Sequence, residues 1–305
     1  MDDFALLGED LFGDEIQQEG RGELQKKFTI PPFSVLNARE GIWQERKRAW
    51  LALGIQSEVG RNDGLMLKST GFLAEEIAKR GGGTSVFDPV LCELAYTWFC
   101  PPGGQIIDPF AGGSVRGIVA HKLGYKYWGC DLRAEQIKAN NMQGRAICAD
   151  SGPVWVCGDA MDKLPLLPDE YADFVFTCPP YGNLEVYSDD ERDLSNMEYH
   201  TFIANYKRII LRACKKLKNN RFAAIVVGDF RDKKGNYRNF VSDTISAFKE
   251  QGLHLYNEVV LVTAIGSLPI RITKQFEASR KIGKTHQNLL VFVKGDGKRA
   301  SGWNI

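Results

Sequence analysis

The sequence is poor in the features that mark several large classes of protein. Only four histidines occur, at 121, 200, 254 and 286, and none is spaced as a metal-ligand pair. The seven cysteines are scattered, with no C-x-x-C pair. That argues against a zinc site or a disulfide scaffold, and it fits a reducing cytosol. No apolar run approaches the length of a membrane span, and the opening MDDFALLGED is acidic where a signal peptide would be basic and then apolar. No internal repeat is visible. A cytoplasmic protein with no resident metal and no membrane partner is expected.

What is present is a globular composition over 305 residues, enough for one large α/β domain with an attachment or for two small domains. The formal net charge of +1 conceals an uneven distribution. The first twenty residues hold seven acids and no base, whereas QERKR at 44–48 and RITKQFEASRKIGKTHQ from Arg271 onward are strongly basic. Such stretches are either solvated faces or seats for a polyanion.

Composition divides the chain into an acidic flexible tail (1–27), an N-terminal extension (28–83), a main domain (84–295) and a short C-terminal tail (296–305). The extension is expected to be an arm on the main domain. It carries the helical pattern IWQERKRAWLALGI, with Ile42, Trp50 and Leu53 near one face and Arg46 to Arg48 elsewhere. Trp43 and Trp50 read as packing residues. RGGGTS at 80–85 reads as a joint.

From Gln105 onward, short apolar runs alternate with amphipathic ones. QIIDPF, YKYWGCDL, VWVCGDA, ADFVFTCPP, RFAAIVVGDF, LHLYNEVVLVTAI and QNLLVFVKG read as seven strands. The first six are followed or separated by helical text in the manner of a doubly wound, mostly parallel α/β sheet. No helical text is evident between the last two. The connection 264–286 holds Gly266, Pro269 and many bases, so the final strand is predicted to return antiparallel at one edge.

Ligands of such sheets sit at the C-terminal ends of the strands, where the strand order reverses. The first such end reads DPFAGGSVRG. Gly112 and Gly113 allow a sharp turn and close approach, Ser114 opens a helix, Asp131 ends the next strand as a ribose-binding acid would, and Asp159 ends the third within reach of an adenine amine. The pattern is not G-x-G-x-x-G. A carboxylate at Asp108 is unhelpful beside a pyrophosphate and suits a cofactor carrying positive charge, which favours S-adenosylmethionine over a dinucleotide.

These motifs, in this order, resemble those of the class I S-adenosylmethionine-dependent DNA amino-methyltransferases, which methylate N6 of adenine or N4 of cytosine and are frequent in phages and mobile elements. DPFAGGS resembles their D-P-F-x-G-x-G motif, TCPPYG their (D/N/S)-P-P-(Y/F) motif, FDPVLCELAYTWFCPPGGQ the segment leading into the glycine loop, and KTHQNLLVFVKG their last strand. The resemblance covers about residues 84–295 and implies a Rossmann-like methyltransferase fold. It implies cofactor binding by Phe87, Asp108, Phe110, Gly112, Gly113, Asp131 and Asp159, and catalysis by Cys178, Pro179, Pro180 and Tyr181. DNA would be met by Arg271, Lys274, Arg280, Lys281 and Lys284, and the extension 28–83 would be a DNA-contacting or packing arm. It leaves open a homodimer and a restriction endonuclease partner. Two departures stand out: Ser114 replaces the second glycine, and Cys178 replaces Asp, Asn or Ser.

An exocyclic amine is a poor nucleophile because its lone pair is delocalised into the ring. Hydrogen-bond acceptors aimed at its N–H groups localise that pair. Two prolines fix φ and remove two donors, leaving the Pro179 carbonyl available. Tyr181 offers a stacking surface worth about 1–3 kcal/mol per base, comparable with the cost of flipping one. A thiol is a weak acceptor, so Cys178 is expected to set shape. It is not expected to attack the base. In cytosine-C5 enzymes the cysteine follows the prolines, and no cation adjoins Cys178 in the sequence to lower its pKa. Cysteine being near-isosteric with serine favours cytosine without excluding adenine. An RNA amino-methyltransferase and a binding module without turnover remain as alternatives. Asp229 reads equally as a base contact or a helix cap, Asn183 and Glu185 as substrate contacts, and His286 as a residue that satisfies a backbone group.

Overall fold

The run ADFVFT is buried at all six positions, the mark of a strand covered on both faces. In the computed structural model this strand, β5 (Ala172–Thr177), lies within an eight-stranded sheet. The structure describes residues 22–56, 87–148, 152–181, 188, 190–266 and 268–303. Residues 1–21 of the acidic tail and the joint at 80–85 lie outside them.

The other strands are β1 (Val35–Asn37), β2 (Gln105–Asp108), β3 (Lys126–Asp131), β4 (Val154–Cys157), β6 (Leu217–Val227), β7 (His254–Val262) and β8 (His286–Lys294). Their order is β1-β7-β8-β6-β5-β2-β3-β4. The chain winds outward from β2 to β4, then returns to place β5 on the other side of β2, so the switch point lies between β2 and β5. Pairing is parallel throughout, except that β8 runs antiparallel to both β6 and β7. This is the doubly wound, Rossmann-like methyltransferase architecture expected from the sequence.

The side-chain period of two sorts the central strands onto two cores. Phe174 and Phe176 of β5, with Phe222, Ala224 and Val226 of β6, meet α3 (Pro89–Phe99) and α4 (Val115–Lys122). Val175, Ala223, Ile225 and Val227 face the opposite layer. There α7 (Tyr199–Lys216) buries Phe202, Tyr206, Ile209, Ile210 and Ala213 at helical spacing, beside α8 (Phe240–Lys249). Helix α5 (Ala134–Ile147) joins β3 to β4, and the short α6 (Ala160–Lys163) follows β4.

Three particulars differ from the sequence expectation. The antiparallel strand β8 is inserted between β6 and β7 and is not an edge. Strand count is eight because β1, from the N-terminal extension, pairs with the end of β7 through Val35↔Val260 and Asn37↔Val262. The connection between β7 and β8 contains a helix, α9 (Leu268–Ser279). Pro269 falls in its first turn, where a missing N–H costs nothing, so the proline that suggested a loop is compatible with a helix start.

After α1 (Glu23–Phe28), the extension also docks through its helix α2 (Ile42–Ala52). Trp43 and Trp50 are each 1% exposed, as packing residues should be. Their indole N–H groups donate to Asp88 at 3.2 Å and to Glu93 at 2.9 Å. The basic QERKR stretch is not a free polycation. Arg46 pairs with the buried carboxylate of Glu93, and Lys47 Nζ lies 3.0 Å from Asp88. No helix among the described residues is long and apolar enough to cross a membrane.

Candidate active site

The tips of β2 and β5 carry the glycine turn and the Pro-Pro-Tyr turn, and because these strands are neighbours the two turns adjoin. Both open into one cleft of about 650 Å³, lined also by the tips of β3 and β6 and by the segment entering β8. That volume suits a small-molecule ligand.

The glycine turn is held from several sides. Gly112 has φ +50°, a left-handed conformation natural to glycine, and a Cβ there would find its first neighbour at 3.9 Å. Its N–H donates to Asp131 at 3.0 Å, and its carbonyl accepts from Asn140 at 2.7 Å. Ala111 N–H donates to the Cys130 carbonyl at 2.9 Å. Ser114, the departure from glycine, has φ −70°, so a side chain is accommodated without strain, and its hydroxyl donates to Gln143 at 3.0 Å. Gln143 in turn hydrogen-bonds both ways with the backbone of Gln56 at the end of α2's segment.

Asp108 does not behave as expected. It is fully buried and absent from the cleft wall. Arg116 Nε donates to it at 2.5 Å, Tyr127 OH at 2.8 Å, Thr177 Oγ1 at 2.6 Å and the Phe110 N–H at 3.1 Å. Its charge is thus neutralised internally and does not face a ligand. Burial works against the charge on Arg116. The Asp108 carboxylate, with Tyr127 and Cys178 nearby, more than reverses this and raises the guanidinium pKa. Arg116 also stacks 4.5 Å from the Phe87 ring centroid. The acids that do line the cleft include Asp88, Asp131 and Asp159. Burial raises the pKa of Asp131, against the lowering effect of the Arg133 and Gly112 N–H groups. Asp159 caps α6, accepting from Met161 N–H at 2.8 Å.

Cys178, Pro179, Pro180 and Tyr181 all line the cleft, as do Phe87, Phe110, Gly112 and Gly113. The Thr177–Asp108 hydrogen bond ties this tip to the glycine strand. Arg116 is within electrostatic reach of Cys178, a cation that sequence reading did not place there. That cation is already paired with Asp108. Tyr181 is half-buried, with the rings of Phe230 and Phe240 at 6.5 and 6.2 Å in edge-on contact. Gln287 Nε2 donates to its hydroxyl at 2.8 Å. Gln287, Phe230 and Phe240 were missed from the sequence because they come from the start of β8, the loop after β6 and the start of α8, far along the chain from Tyr181. Asp229 lies on the cleft wall and accepts from the Val241 N–H, in the first turn of α8, at 3.0 Å. His286 also lines the cleft at the start of β8. Asn183, Glu185 and the side chain of Arg271 lie outside the described residues.

The basic candidates divide. Lys274 and Arg280 are exposed on and just after α9, while Lys281 lies over Gly235. Lys284 lines the cleft. Burial lowers its pKa, partly offset by Asp229. Among the described residues, no group of three or more His, Cys, Asp or Glu side chains could hold a metal ion.

No family profile matches the chain. The type II methyltransferase M2.DpnII of Streptococcus pneumoniae is 30% identical over 114 residues, which are 36% of this chain and 41% of that protein. Less than half of that relative's length is therefore matched. Among solved structures, TrmN from Thermus thermophilus aligns over 68% of this chain and 49% of its own, at 15% identity and a TM-score of 0.46. A candidate DNA modification methylase from the same species aligns over 46% and 53%, at 20% identity and 0.36. The magnesium protoporphyrin IX methyltransferase of Synechocystis PCC 6803, solved with S-adenosylmethionine, aligns over 85% and 100%, at 11% and 0.45.

Proposed function

We propose that this protein transfers a methyl group from S-adenosylmethionine to the exocyclic amine of a cytosine (N4) or adenine (N6) turned out of DNA. One observation carries the reading: a glycine turn and a Pro-Pro-Tyr turn occupy adjacent strand tips at the switch point and share one cleft, joined by the 2.6 Å Thr177–Asp108 hydrogen bond. The partial sequence match to a type II methyltransferase supports it.

The cofactor fits the residues present. The open space beside Gly112 admits close backbone approach, and Asp131 retains lone pairs for a ribose hydroxyl pair after accepting from two N–H groups. Phe87, Phe110, Gly113 and Asp159 would complete the seat. S-adenosylmethionine, when bound, supplies a methyl group on a positively charged sulfur. The chain's own part is to prepare the amine. The Pro179 carbonyl accepts a hydrogen bond from it, drawing the nitrogen lone pair out of conjugation. Tyr181 stacks on the base and compensates for its extrusion, while Pro180 stiffens the turn and Cys178 shapes its floor.

The test is transfer of a labelled methyl group by the purified protein to duplex DNA and, in parallel, to RNA, with the product base identified by mass spectrometry after digestion. N4-methylcytosine or N6-methyladenine in DNA is expected. Label in RNA alone would change the polymer. No label in either polymer above a no-enzyme control would refute the proposal.

A further inference from the structure

We infer that the turn at residues 231–238 and the segment 280–284 form a single phosphate-binding ridge on the rim of the cleft. It grips the sugar-phosphate backbone beside the nucleotide that enters. The inference rests on the nucleic-acid reading above and adds a contact surface to it.

The turn, RDKKGNYR, is built and not merely basic. Arg231 bridges to Tyr237, Asp232 N–H donates to the Asn236 carbonyl at 2.8 Å, and Arg238 N–H donates to the Phe230 carbonyl at 2.9 Å. Gly235, at φ +93°, makes the reversal, and the Arg231 guanidinium stacks 4.0 Å from the Tyr237 ring centroid. The second segment rests on the first. The Lys281 side chain lies against Gly235, whose Cβ, were there one, would collide with it, and Lys284 Nζ is 6.0 Å from the Tyr237 ring centroid. Two stretches distant in the sequence thus make one surface.

Its bases outnumber the acids beside them. Asp232 accepts from Asn236 N–H at 2.9 Å and Asp229 from Val241 N–H at 3.0 Å, and Asp229 acts on Lys284 without pairing directly with it. None of Arg231, Lys233, Lys234, Arg238, Lys281 and Lys284 forms an ion pair with any described residue. Lys233 and Lys234 are exposed. At the cleft side, Phe230 connects the turn to the Tyr181 ring, and Lys284 lines the cleft itself. A nucleotide inserted against Tyr181 leaves its own phosphates at this rim. Contacts of that kind fix register without reading sequence.

The experiment measures affinity for duplex DNA by fluorescence anisotropy across a salt series, for the wild-type chain and for Lys233→Ala/Lys234→Ala. The slope of log K against log salt should fall by about 2, roughly 0.9 for each phosphate that a lysine no longer neutralises. The loss of affinity should be similar for unrelated sequences, with S-adenosylmethionine binding unchanged. Lys138→Ala, on exposed α5 surface, should leave the slope as it is. An unaltered slope in the double variant overturns the ridge, as does a wild-type chain that binds anionic vesicles but not DNA. A changed slope in a protein that binds DNA yet transfers no methyl group keeps the ridge and removes the proposed activity.

Discussion

Two basic stretches look alike in the sequence and differ completely in the fold. QERKR at 44–48 turns Arg46 and Lys47 inward onto Glu93 and Asp88, so its charge fastens the extension to the main sheet. RDKKGNYR at 231–238, with 280–284, forms no direct ion pair with a described carboxylate, and Lys284 lines the cleft. Whether a run of bases is adhesive or receptive depends on what the rest of the chain places opposite it. That information is non-local.

The largest effect should come from the adhesive side. Arg46→Ala leaves the Glu93 carboxylate, 1% exposed, with only the Trp50 indole among the described residues, and truncating one partner of a buried pair typically costs about 3–5 kcal/mol. Urea denaturation should show that loss, and a midpoint like that of the wild type would mean the pair is solvated after all. Beside the receptive side, Tyr181→Ala should lower kcat/KM for the proposed DNA methylation about 5- to 150-fold, the equivalent of losing about 1–3 kcal/mol of stacking. Circular dichroism should be unchanged, and full activity would remove Tyr181 from the mechanism.

Lys284→Met should raise the Tm at neutral pH. Burial lowers the folded-state pKa of Lys284, so its protonated form carries a cost that is fully present below that pKa. The wild-type chain recovers stability as pH rises from the folded pKa toward the unfolded value, because the unfolded state then binds more protons. The advantage of the Met variant should therefore shrink in alkaline buffer. A lower Tm at neutral pH would show instead that the charge is welcome in the fold. The smallest effect belongs to Lys233→Ala/Lys234→Ala, which should change folding stability by no more than about 0.5 kcal/mol, checked by the same urea titration.

The sheet's core strands were legible because burial on two faces writes an unbroken apolar run, as in FAAIVV of β6, and α7 because its buried positions recur at helical spacing. Strand order was not, since the insertion of β8 between β6 and β7 is a choice of partner and leaves no local trace. Strand β1 was invisible for a different reason: three residues with only Leu36 buried form no period. At the site, the two turns were recognised from glycine and proline, whose conformational demands are local. Asp108 was misjudged because a strand-tip acid was assumed to face the ligand, and the pairing with Arg116, in the helix just beyond the loop, decides otherwise. Gln287 and Phe230 carry no signal of their own until the sheet brings them to Tyr181.

The attachment of β1 to β7 has a practical corollary for anyone shortening this chain. A fragment cut to the motif-bearing stretch would offer an open ladder to the nearest strand of another copy and would strip Glu93 and Asp88 of their counterions. Aggregation during purification of such a fragment would therefore report on the missing β1 and α2, and would say nothing about the competence of the cleft.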